Sequence, residues 1–149
     1  MIPIPVGETA VLDVVVAVSH TVDFDEMGKV HPVYATYTMA KHFEEAGRKL
    51  LVPHLESGEA GIGTAVSVEH LATSWVGDAI RVTARAVEVR VGRLTCECRA
   101  TDSYGRDLGR GTTVQAVLPA AVVDARVGED SRRNRRGPPG PLFAGPSRP

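Results

Sequence analysis

The chain has 149 residues, enough for one hydrophobic core, and its 43% hydrophobic and 23% charged residues exclude wholesale disorder. Its longest apolar run, Val14 to Val18, is far short of the roughly 18 residues a membrane-spanning helix needs. The net charge of -1 divides unevenly, with 11 Lys/Arg against 15 Asp/Glu in residues 1–118 (-4) and 6 against 3 in residues 119–149 (+3); so mildly acidic a body predicts no nucleic-acid partner.

The chain opens on Met1-Ile2-Pro3-Ile4-Pro5-Val6, with no basic start and with Glu8 and Asp13 interrupting any apolar signal core. A cytoplasmic location is therefore expected. Val11 to Val18 is a Val-rich run typical of a strand, and Asp23 to Pro32 is polar and turn-prone, which reads as a loop. From Thr36 to Val52, Met39, Phe43, Ala46, Gly47 and Leu50 recur at spacings of three and four, so this segment reads as an amphipathic helix stopped by Pro53.

Four strand-like stretches with short turns follow: Thr64 to Thr73, Ala79 to Val91, the alternating run from Arg93 to Ala100, and Gly109 to Leu118. Cys96 and Cys98 fall on one face of the third, with Cα atoms about 6.5–7 Å apart, poor geometry for a disulfide. No second Cys or His pair stands at ligand spacing, so no metal is expected. Beyond Ala120 the periodicity fades. Residues 119–149 read as a Pro/Gly/Arg-rich tail, disordered from about residue 126, and Arg132, Arg133, Arg135 and Arg136 as a solvated basic run.

Short turns between the last four strands require an antiparallel sheet, and a single helix must cover one of its faces. An α+β hotdog fold over residues 1–118, a curved sheet of about five strands wrapped around one long helix, satisfies both conditions. So few strands leave sheet edges open, which predicts a homodimer.

Phosphate-binding loops, dinucleotide-binding glycine patterns and nucleophile elbows are absent from the sequence. Polar residues at otherwise apolar positions remain. Thr36, at the start of the helix, is either an N-terminal cap or a hydroxyl set in the positive field of the helix end. With Met39 at zero and about 100° per residue, Phe43, Leu50 and Gly47 fall at roughly 40°, 20° and 80°, while Glu44 falls near 140°, on the border of the buried face. Glu44 is either half of an i,i+4 ion pair with Arg48 or a functional carboxylate. His70, on the Val66/Val68 face of its strand, is either a core histidine or a base. Gly63 is a turn glycine or a place where substrate approaches the backbone. His20, His31, His42 and His54 are placed in loops or on the polar side of the helix, without a role. A hydroxyl, a carboxylate and an imidazole in one cavity would suit hydrolysis.

Pro32-Val33-Tyr34-Ala35-Thr36, Glu44, Pro53-His54-Leu55-Glu56-Ser57-Gly58-Glu59, Gly63-Thr64-Ala65 and Val68-Glu69-His70 resemble the fluoroacetyl-CoA thioesterase-like family of hotdog enzymes. The likeness runs from about Val6 to Leu118. It implies hydrolysis of short acyl-CoA thioesters by a homodimer with no metal or other cofactor, with Thr36, Glu44 and His70 as the catalytic trio and Gly63, Val30 and Tyr34 as substrate-binding positions. His70 would be the base or polarising group; Glu44 and Thr36 would supply the nucleophile or orient water and the thioester carbonyl. The loop from Asp23 to Pro32 is shorter than the family's, Val30 stands where the family has a lid phenylalanine, and Gln115 replaces an arginine. The resemblance therefore implies a short or medium acyl group other than fluoroacetyl, on CoA or an acyl carrier. The alternatives are a hotdog hydratase or dehydratase, which would use His with an acid for proton abstraction, and a non-catalytic acyl-CoA-binding dimer.

Overall fold

A computed structural model describes residues 1–134. Seven strands and two α-helices form in the order β1 (Thr9–Val15), β2 (Thr21–Phe24), β3 (Gly28–Tyr34), α1 (Thr36–Leu51), β4 (Glu59–His70), β5 (Ala79–Arg90), β6 (Arg93–Asp102), β7 (Asp107–Pro119) and α2 (Ala120–Asn134). Five strands make one antiparallel sheet in the order β1-β5-β6-β7-β4. The long helix α1 packs across it, giving the expected α+β hotdog architecture.

Alternation along the strands builds the core. On β5 and β6, Ile80, Val82, Ala84 and Ala86 and then Leu94, Cys96, Cys98 and Ala100 point inward and are buried, while the intervening residues face outward. They meet Met39, Phe43, Ala46, Leu50 and Leu51 of α1. Both cysteines are free thiols, pushed up by burial to about 11 for Cys96 and about 12 for Cys98, and so are inert apolar filling. Small residues let α1 come close to β7: a Cβ on Gly47 would stand 2.4 Å from Thr113 Cγ2.

Four segments differ from the sequence reading. The strand expected from Thr64 to Thr73 runs from Glu59 to His70, so Gly63 lies inside it and not in a turn. Residues Asp23 to Pro32 are not an irregular loop but most of a two-stranded hairpin, β2 with β3. Its polar composition hid a tertiary anchor, the Tyr37 hydroxyl on α1, which accepts the Asp23 N–H at 2.8 Å and lies 3.0 Å from the Thr21 carbonyl. The first strand is shorter than the Val-rich run, ending at Val15 before a 3₁₀ turn at Val18–His20. The expected tail begins with a helix, α2, which crosses the point where disorder was expected and is tied to the body by the Ala120 N–H on the Gly58 carbonyl at 2.8 Å. Apolar periodicity does not detect a mostly exposed helix, which rests on formers such as Ala, Arg and Glu. Residues 135–149, which hold the Gly/Pro-rich part of that tail, lie outside the described residues.

Candidate active site

Two clusters carry the sequence-predicted residues. The first lies where β3 turns into α1. Ala35 occupies the N-cap position and makes no side-chain cap, so Thr36 is the first helical residue and its hydroxyl is not spent on capping. It lies 2.9 Å from Nδ1 of His70, the last residue of β4. The other ring nitrogen, Nε2, lies 3.0 Å from the Ala72 carbonyl oxygen. A carbonyl only accepts, so Nε2 carries the proton, and in the neutral ring Nδ1 must accept from Thr36 O–H. The backbone thus selects the tautomer in which imidazole is a base toward a hydroxyl, the arrangement that activates an oxygen nucleophile. Thr36 is exposed and His70 half-buried, so the pair is open to a ligand.

Behind it lies a buried pair that sequence reasoning missed. Tyr34 has no exposed surface, and its hydroxyl sits 2.6 Å from His42 Nδ1. The Tyr34 ring meets His70 edge-on with centroids 6.3 Å apart. Tyr34, expected at a substrate-binding position, lies behind the histidine. Burial holds the Tyr34 hydroxyl well above the usual phenol range. His42, expected on the polar side of α1, is also buried, and its pKa is lowered first by burial and then by the neighbouring His20, whose ring lies 5.1 Å away. The buried surface of α1 is wider than one apolar stripe and includes Thr38 and His42. The one available signal was Tyr34 itself, a hydroxyl in an apolar setting that needs a polar partner.

The second cluster is Glu44 on Gly63. A Cβ on Gly63 would stand 2.1 Å from Glu44 Oε1, so the absent side chain is what lets the carboxylate lie against the strand. Arg48 does not pair with Glu44; it donates to the Gly61 carbonyl at 2.7 Å. The register between β4 and β7 shifts between Gly63 and Ala65, a bulge of the kind that re-aims side chains beside functional sites. Eight residues of helix separate Glu44 from Thr36, about 12 Å of axial rise, so one chain does not bring the three residues together. Val30 lies on β3, 39% exposed.

A separate groove of about 810 Å³ runs over β4 to β7 past Ser67, Glu69, Arg99 and Arg110, without Thr36, Glu44 or His70. Arg110 pairs with Glu69 and Arg99 with Asp107, so its cations are already matched. Among the described residues no group of three or more His, Cys, Asp or Glu side chains gathers at metal-ligating distances, and no helix is long and apolar enough to cross a membrane.

The family model for fluoroacetyl-CoA-specific thioesterase matches residues 16–121. The chain is 33% identical over 127 residues to the fluoroacetyl-CoA thioesterase of Streptantibioticus cattleyicolor, covering 82% of this chain and 91% of that protein. Among solved structures, a thioesterase superfamily member from Thermus thermophilus is 44% identical, covers 92% of this chain and 100% of its own, and superposes with a TM-score of 0.88. A threonine-to-serine mutant of the fluoroacetyl-CoA enzyme in complex with acetyl-CoA is 31% identical, with coverage of 86% and 99% and a TM-score of 0.79. This chain belongs to the fluoroacetyl-CoA-specific thioesterase family of hotdog-fold thioester hydrolases.

Proposed function

We propose that the protein hydrolyses a short or medium acyl thioester of CoA or of an acyl carrier, with Thr36 and His70 at the reacting centre. The observation that carries this reading is the 2.9 Å contact between the Thr36 hydroxyl and a His70 whose other nitrogen is held by the Ala72 carbonyl. His70 Nδ1 is poised to take a proton from the attacking oxygen, either Thr36 Oγ1 or a water in its reach, and to return it to the departing thiolate. Family membership supports the thioester as the bond attacked.

The reading includes a homodimer in which each active site draws on both chains. β4 is an edge strand of twelve residues, and Thr64, Ala65, Val66 and Ser67 along it are all exposed. Such an edge offers unpaired N–H and C=O groups to another strand. Antiparallel pairing of two β4 strands centred between Val66 and Ser67 sets Gly63, and Glu44 above it, opposite the partner's His70. The Glu44–Gly63 cluster of one chain then completes the Thr36–His70 cluster of the other, answering the roughly 12 Å gap within each chain. Glu44 would orient water or attack the carbonyl itself.

The test follows free thiol release from acetyl-, fluoroacetyl-, butyryl-, hexanoyl- and benzoyl-CoA, with mass in solution measured by analytical ultracentrifugation. Turnover of at least one ester by a dimer is expected. No turnover across the panel contradicts the hydrolase reading, and a monomer that turns over contradicts the shared site.

A further inference from the structure

Among the described residues, Gln115 is the buried side chain with two polar atoms left without partners; the buried Thr113 hydroxyl on the same strand leaves one. Gln115 lies on β7 with no exposed surface, and neither its Nε2 nor its Oε1 has a hydrogen-bond partner among the described residues. Its neighbours across the sheet are Leu94 of β6 on one side and Gly63 of β4 on the other. An apolar side chain of the same length would fill this space without burying an amide, and burying unsatisfied polar groups is costly.

The position of Gly63 supplies the reason. Directly opposed residues on antiparallel strands have Cβ positions about 4.5–5.5 Å apart, and the Cβ position of Gly63 is where the Glu44 carboxylate lies, with Oε1 2.1 Å from it. Gln115 thus starts from the sheet position directly beside the point that the Glu44 carboxylate reaches from the helix. The two side chains make no direct hydrogen bond, and polar groups set apart in this way are joined through water where one fits between them. The amide offers two N–H donors and one acceptor oxygen, enough to hold such a water and fix its orientation.

We infer that Gln115 is a positioning residue for Glu44, its side-chain amide holding the carboxylate over Gly63 through one bridging water. The inference rests on the thioesterase reading, because it gives Glu44 a task that requires a fixed orientation. Gln115 does not touch substrate; it acts through Glu44.

The experiment is a double-mutant cycle on thioester hydrolysis using Gln115→Met and Glu44→Gln, with melting temperatures for every variant and Gln115→Leu as the second apolar replacement should the Met variant fail to fold. Loss of the link is expected to lower kcat about tenfold with KM within about twofold of wild type. In the Glu44→Gln background the same change should cost nothing further, because the two residues act as one unit. The melting temperature of Gln115→Met should equal or exceed that of wild type. An unchanged kcat in a folded Gln115 variant of an active enzyme overturns this inference alone, as does a loss that multiplies undiminished with that of Glu44→Gln. A wild-type protein that turns over no thioester overturns both this inference and the reading it rests on.

Discussion

At the residue scale, the site depends on hydrogen bonds that assign protons rather than on proximity alone. The Ala72 carbonyl holds His70 in one tautomer, and Ala35 occupies the cap position that would otherwise have used the Thr36 hydroxyl. Spacing along the sequence left Thr36 open between cap and reacting hydroxyl, and His70 open between core histidine and base. The contact between them was not legible in spacing, because it rests on a carbonyl two residues beyond His70 and on which residue lies outside the first helical turn. Gly63 is a sharper case. Alanine there meets the mobile end of the Glu44 side chain rather than backbone, so Gly63→Ala is expected to melt near the wild-type temperature. Displacing the carboxylate by about 1 Å is expected to lower kcat on the order of 100-fold; a variant of wild-type activity would show that Glu44 has no need to lie on the strand.

His42 adds a pH dependence whose sign can be worked out. Unfolded, it takes a proton near its ordinary value of 6.5; folded, burial and then His20 lower its pKa, opposed by Glu45 and reinforced by Lys41. The unfolded state therefore binds more protons below that value. Its contribution is fully retained above the unfolded pKa and declines as the pH falls from there toward the folded value. Urea midpoints measured from pH 8 to pH 5 are expected to fall on acidification, with a smaller fall in His42→Gln; a slope undiminished in that variant would assign the effect to other groups.

At the scale of elements, α1, β5 and β6 were legible because their buried residues follow the helical and strand periods, whereas β4, with Thr64 to Ser67 exposed in succession and a bulge after Gly63, was legible only in part. The β2–β3 hairpin and α2 were not, one being held by the Tyr37 hydroxyl across fourteen residues and the other carrying no apolar stripe. His42 was misassigned for a related reason, since a helical wheel sees one buried stripe and the hairpin side of α1 creates a second contact. Tight packing between α1 and β7 gives a testable reversal. In an ordinary helix, Gly→Ala stabilises by about 1 kcal/mol. At Gly47 the new Cβ would stand 2.4 Å from Thr113 Cγ2, and relieving such overpacking costs about 1–3 kcal/mol. Calorimetry of Gly47→Ala should therefore show a melting temperature lower than wild type, by a net loss of up to about 2 kcal/mol; a rise would mean that α1 can lift from the sheet at little cost.

At the scale of the whole molecule, the residues named from the sequence fall into two clusters on a single chain, Thr36 with His70 and Glu44 on Gly63. Thr36 and His70 come together because the end of β4 passes the start of α1. Glu44 lies two helical turns away, and one polypeptide does not supply the missing distance. An edge strand that carries both Gly63 and His70 offers a second copy the means to close it. With the Thr36–His70 pair proposed as the chemical centre, the decisive measurement is thiol release by Thr36→Ala, Thr36→Ser and His70→Ala at equal folded fraction. Loss of His70 is expected to lower kcat by about 10²–10⁴-fold, as removal of a general base does. Thr36→Ala should fall comparably, whereas Thr36→Ser, which keeps the hydroxyl, should retain activity within about tenfold of wild type. Folded Thr36→Ala and His70→Ala variants that hydrolyse thioesters at the wild-type rate would contradict the account.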